Sequence, residues 1–97
     1  MTKLISVKPS DKPDKKYVAE FMMPNGRTKN THFGAKGYLD FTHGATDEQH
    51  KAYKIRHKKD LDTADPTKAG FLSYYLLWGD SRNLQTNIAS FKRKFRL

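Results

Sequence analysis

Apolar and polar positions first alternate and then change period. Tyr17, Ala19, Phe21 and Met23 fall on one side of an extended chain, and Val18, Glu20 and Met22 on the other. That is the pattern of a strand with one face to bury. Pro24-Asn25-Gly26 follows, and Asn-Gly beside an alternating run is a strong short-range hairpin signal. Arg27–Phe33 alternates back as the return strand, with Arg27, Lys29 and Thr31 on one face and Thr28, Asn30 and His32 on the other. So polar a strand belongs at a sheet edge. Leu4–Val7 is a shorter strand, set apart by the polar loop Ser10–Lys16, with Pro9 and Pro13 as its punctuation.

Gly34–Ala45 reads as a connection punctuated by Gly34, Gly37 and Gly44. Tyr38, Leu39 and Phe41 lie inside it and need cover, so the segment is expected to pack onto the domain. Phe33–Gly37 invites a phosphate-loop reading centred on Lys36, but its glycine spacing matches neither the dinucleotide fingerprint nor the P-loop. From Thr46 onward the period is helical. Thr46-Asp47-Glu48-Gln49 is a capping box, predicting a helix to about Lys59. Asp65-Pro66 predicts the start of a second helix. It carries Ala69, Phe71, Leu72, Tyr74, Tyr75, Leu76, Leu77 and Trp78, apolar nearly all round, with Gly79 as its C-terminal cap. Ser81 is expected to cap a third helix, whose Leu84, Ile88, Phe91 and Phe95 form one stripe. The prediction is an α+β fold in a single domain, residues 1–97. A small N-terminal antiparallel sheet, with a hairpin turning at Pro24–Gly26 plus a short first strand, packs on about three C-terminal α-helices.

Composition supports a folded core. Ninety-seven residues suit one domain, and although mean hydropathy is −0.87, six Phe, five Tyr and one Trp supply large buried area per residue. The absence of cysteine excludes disulfides, thiolate metal sites and cysteine catalysis. Ala69–Trp78, the longest apolar-rich segment, is about half of the ~20 residues that a membrane span requires. Met1–Ser10 has no signal-like apolar run, so an intracellular rather than secreted protein is expected.

Charge changes the picture most. The net charge is +9, above the roughly 2–8 units that solubility asks of a small domain. Such a field attracts polyanions, nucleic acid foremost. Residues 1–44 carry eight Lys/Arg and four Asp/Glu, residues 45–80 six and six, and residues 81–97 five and none. Lys92, Arg93, Lys94 and Arg96 crowd the last helix, more than its dipole asks for. Lys51, Lys54 and Lys58 recur at three and four residues as one stripe on the first helix, with Arg56, His57 and Lys59 beside it. These residues other than Lys59, together with Lys36, are the expected phosphate contacts, DNA being favoured over RNA. Tyr17, Phe33, Tyr38 and Phe41 lie near basic residues and are potential stacking surfaces for bases, although core packing is the commoner fate of such rings.

No nucleophile elbow, triad or carboxylate dyad is present, and no cofactor is expected. His50 and His57 stand two helical turns apart, about 10 Å along the axis, too far to share a metal ion. No metal site is assigned, although His43 with Asp40, Asp47 or Glu48 leaves one geometrically open. The enzymatic alternative is a metal-dependent nuclease built from Asp40, His43, Glu48 and His57.

The string His32-Phe33-Gly34-Ala35-Lys36-Gly37-Tyr38-Leu39-Asp40-Phe41-Thr42-His43 resembles the signature of small basic uncharacterised proteins encoded by large eukaryotic DNA viruses, chloroviruses and mimivirus relatives among them. Tyr53 with Arg56-His57, Ala69–Leu72 with Leu77-Trp78, the closing Phe91–Phe95 helix and Tyr17-Val18-Ala19 also fit. A tryptophan frequent in that group near Leu61–Thr63 is absent here. The resemblance implies a viral source and a compact domain, and transfers no functional residue. It implies a host-cell setting (cytoplasm, viral factory or nucleus) or packaging in the virion. A virion or capsid structural protein, or an interaction module using the same basic surface, is the competing expectation.

Overall fold

Three antiparallel strands, β1 (Lys3–Pro9), β2 (Lys15–Met22) and β3 (Thr28–Ala35), form one sheet in the order β1-β2-β3. This comes from a computed structural model that describes residues 1–97. The alternation in β2 is obeyed: Ala19 and Phe21 are buried, and Tyr17 and Met23 pack against the core. β2 and β3 join through Pro24-Asn25-Gly26, with Gly26 at φ 82° and the Met23 N–H donating to the Arg27 carbonyl at 2.8 Å. β3 is the edge strand its polarity predicts. In β1, Leu4 and Val7 both face the core although they are three residues apart. A bulge between Leu4 and Ser6 makes that possible, because the extra residue, Ile5, absorbs the change of face and stands exposed.

The helical layer comprises α1 (Asp47–His57), α2 (Ala69–Leu72), which continues as a π-helical turn over Ser73–Leu77, and α3 (Leu84–Phe95). The fold is α+β, and the core joins Leu4, Phe21 and Phe33 of the sheet to Phe71, Leu72, Leu76 and Leu77 of the second helix and Phe91 of α3. No helix is long and apolar enough to cross a membrane.

Several boundaries differ from expectation for identifiable reasons. α1 has its capping box but gives way to a 3-10 segment, Lys58–Thr63, where the His57 ring bonds Asp60 at 2.9 Å. Asp65 caps a turn, not the second helix: its Oδ1 accepts from the Thr67 N–H and hydroxyl at 2.9 and 2.7 Å. Thr67 is buried because β3 holds it there. The Thr31 hydroxyl donates to its carbonyl at 2.8 Å and Lys29 Nζ donates to its hydroxyl at 2.9 Å. The helix therefore starts after Lys68, whose backbone is extended. Gly79 is not a left-handed cap. It is required by contact, since a Cβ there would stand 2.3 Å from the Tyr75 carbonyl oxygen and 2.7 Å from Asn87. Asn83, not Ser81, caps α3, accepting from the Thr86 N–H at 3.0 Å.

The Gly34–Ala45 connection is shorter than expected because β3 runs through Ala35. Gly34 adopts φ 80°, and a Cβ on it would approach Leu77 Cδ1 to 2.8 Å. That glycine serves sheet–helix packing. Phe41 is buried as expected, but Tyr38 and Leu39 are not, at 75% and 58% exposure.

Candidate nucleic-acid interface

Lys51 and Lys54 of α1 and Lys58, which directly follows it, line an open cleft of about 420 Å³ with His50, Ile55, Tyr74 and Asp80. A second cleft of about 260 Å³ runs from Lys54 and Asp80 past Ser81, Thr86 and Ser90 to Lys94 on α3. Lys54 and Asp80 line both, so the two clefts adjoin at this pair as the two arms of one groove. The turn Gly79–Asp80 brings these helices together although their lysines are some forty residues apart in the chain.

The groove carries Lys51, Lys54, Lys58 and Lys94 against one carboxylate, Asp80. Lys54 Nζ lies 2.9 Å from Asp80 Oδ1 and 5.4 Å from the Tyr74 ring centre. The hydrogen bond from Lys54, then its charge, hold the Asp80 carboxyl below its ordinary pKa. Asp80 is almost fully exposed, so solvent screens the pair. Of the nineteen lysines and arginines, only Lys16, Lys54 and Arg82 pair with carboxylates.

The end of α3 is more dispersed than a single patch. Phe91 and Phe95 turn inward, as expected, and the ~3.6-residue turn then fans Lys92, Arg93 and Lys94 around the solvent side. Lys94 alone reaches the groove, its Nζ 6.0 Å from the Tyr75 and Phe95 ring centres. Arg93 reaches Ser90 Oγ at 3.5 Å, and Arg96 closes the helix at φ 55°. Arg56 is adjacent to the stripe in sequence but lines other clefts, with Tyr38, Leu39 and Trp78, on the opposite side of α1. Lys36 is exposed beyond β3 and lines none of the clefts.

The histidines serve as ties within the fold. His50 Nε2–H donates to the Trp78 and Gly79 carbonyls at 3.0 and 2.9 Å, and its ring stacks on Phe41 at 3.9 Å. His57 stacks on Tyr53 at 4.1 Å, and Tyr53 on Trp78 at 4.2 Å, a column of three rings that no spacing rule exposes. His32 bonds the Ser10 hydroxyl at 2.7 Å, and His43 contacts Asp40 at 3.0 Å. Of the expected stacking rings, Phe33 and Phe41 are core residues and Tyr17 packs against the core.

The nuclease set does not assemble. Asp40 is 1% exposed and accepts from Lys16 Nζ at 2.6 Å, the Thr42 N–H at 2.9 Å and the Thr42 hydroxyl at 2.6 Å. Burial alone would raise its pKa, but hydrogen bonds from Lys16, Thr42 and His43, with the Lys16 charge, outweigh that and hold it below the ordinary carboxylate value. His57 is engaged by Asp60, Glu48 is exposed in the first turn of α1, and no three His, Asp or Glu side chains converge.

Residues 5–57 match the model of a family of unknown function (DUF5754). The chain belongs to that family. The matched stretch takes in the sheet from Ile5, the Asp40 turn and α1 with Lys51 and Lys54, while Lys58 and Lys94 lie beyond it. No curated protein and no solved structure matches the chain.

Proposed function

We propose that this protein binds nucleic acid, DNA in the first instance, mainly through phosphate contacts and with little sequence preference. The observation that carries the reading is the single groove in which Lys51, Lys54, Lys58 and Lys94 face one exposed carboxylate. Four cations on one surface repel one another, and phosphates placed among them relieve that repulsion and release counterions. The polar floor, with Ser81, Thr86 and Ser90, adds hydroxyl donors of the kind that position a backbone without reading bases. The one side-chain amide lining the groove, Asn87, is spent on the Leu76 and Ser81 backbone and so cannot read adenine, which favours sequence-tolerant binding. A role on a viral genome or in a virion is the setting that the viral resemblance suggests for this activity.

A duplex DNA titration followed by fluorescence anisotropy tests it. Binding is expected at about 50 mM salt and should weaken steeply by about 200 mM. Absence of binding at about 50 mM salt, where phosphate contacts are strongest, would refute the proposal.

A further inference from the structure

On the side of α1 facing away from the lysine stripe, two adjoining clefts of about 280 and 400 Å³ share Tyr38, Leu39, Arg56 and Trp78. Tyr38 and Leu39 are 75% and 58% exposed, yet their turn is held at both ends. Lys16 donates to the Tyr38 carbonyl, and Asp40 is buried and fully hydrogen-bonded. An exposed ring on a pinned turn loses little freedom on binding, which favours its use as a contact surface.

The charges are equally uneven. Lys16, at the floor, is neutralised by Asp40, whereas Arg56, at the rim, is exposed and makes no ion pair. The wall is aromatic, because the Trp78 ring lies within 6° of parallel to Tyr53. Burial first, then the Asp60 charge, push the Tyr53 hydroxyl up to about 12, so it remains a neutral donor. The cleft thus combines aromatic and apolar walls with one free guanidinium. Its occupant should be planar and should carry a compact anion.

We propose that this cleft binds a mononucleotide-type ligand, with the base against Tyr38 and Trp78 and the phosphate on the Arg56 guanidinium. The guanidinium fork matches two phosphate oxygens, and aromatic faces accept any base. The site shares no lysine with the groove across α1 and does not depend on the function proposed for it.

Trp78 is the only tryptophan in the chain, so its fluorescence reports directly on the cleft. Adenosine 5′-monophosphate should quench it saturably, and more tightly than adenosine or ribose 5-phosphate. Arg56→Gln should weaken AMP binding roughly tenfold, the loss of one charge-assisted contact. Tyr38→Ala, also at an exposed position, should weaken it as well. Joint Lys51, Lys58 and Lys94→Gln substitution should leave AMP affinity unchanged, separating this site from the groove. The proposal is overturned if AMP gives no saturable quenching up to about 10 mM, a free energy too weak for a built site. Equal affinity in wild type and Arg56→Gln also overturns it. So does a fluorescence change that tracks protein concentration instead of AMP, since that would place a second copy of the chain in the cleft.

Discussion

Two lysine–aspartate pairs in this protein have nearly the same geometry and different work to do. Lys16 and Asp40 meet at 2.6 Å with side chains 13% and 2% exposed, and Lys54 and Asp80 meet at 2.9 Å with side chains 26% and 97% exposed. Asp40 also accepts from Thr42 and His43, and Lys16 also donates to the Tyr38 carbonyl, so the first pair fixes the turn between sheet and helices. The second lies open in a groove with an excess of lysine. Distance does not separate the two pairs, but burial and the number of satisfied partners do. The same contrast divides the basic residues generally: Lys16 and Lys29 are engaged inside the fold, while Lys51, Lys58 and Lys94 are free to meet a ligand.

Breaking the buried pair should have the largest effect. Asp40→Asn leaves Lys16 without its counter-charge and should cost about 3–5 kcal/mol by urea or thermal unfolding. Asp80→Asn should cost under about 1 kcal/mol, because solvent screens an exposed pair. Comparable losses from both would erase the distinction.

Acid sharpens the comparison. The Asp40 pKa is lowered in the folded protein, so its contribution is fully present above the ordinary carboxylate value and is lost as pH falls through the lower folded one. The wild type should lose stability over that acid window, and Asp40→Asn should lose less of it. Unfolding curves recorded across the window check this. Parallel acid limbs in the two proteins would show that Asp40 is not the group responsible.

The smallest effect expected is a gain. Asp80→Asn removes the one carboxylate from the groove and should tighten DNA binding by a few-fold at low salt, with the advantage fading as salt rises. Weaker binding by this variant would mean that Asp80 holds Lys54 in a productive position.

What could be read from the sequence was whatever depends on period. The alternation in Tyr17–Met23, the Thr46 capping box, the α3 stripe and the spacing of Lys51, Lys54 and Lys58 are local patterns, and all reappear in the fold. Long-range ties were hidden. Asp65-Pro66 has the residues of a helix start, but Lys29 and Thr31, more than thirty residues earlier, hold Thr67 out of the helix. Ser81 and Asn83 are both capping residue types two positions apart, and the choice between them follows from Asn87, whose amide occupies the Ser81 backbone. Tyr38 and Leu39 look like residues needing cover because hydropathy carries no information about which turn the fold leaves open. For the candidate site, adjacency misled: Arg56 is two residues from Lys54 yet on another side of the helix, and only the folded chain selects Lys94 from the four cations near the C-terminal end of α3.

The central claim is that placement of charge, not its total, makes the binding surface. Salt dependence of DNA affinity tests it in two variants of equal net charge, one with Lys51, Lys58 and Lys94 changed to Gln, the other with Lys3, Lys8 and Lys12. The groove variant should lose up to about three units from the slope of log affinity against log salt, and the N-terminal variant should stay near wild type. Equal losses in both variants would contradict the account and reduce the groove to one part of a diffuse basic surface.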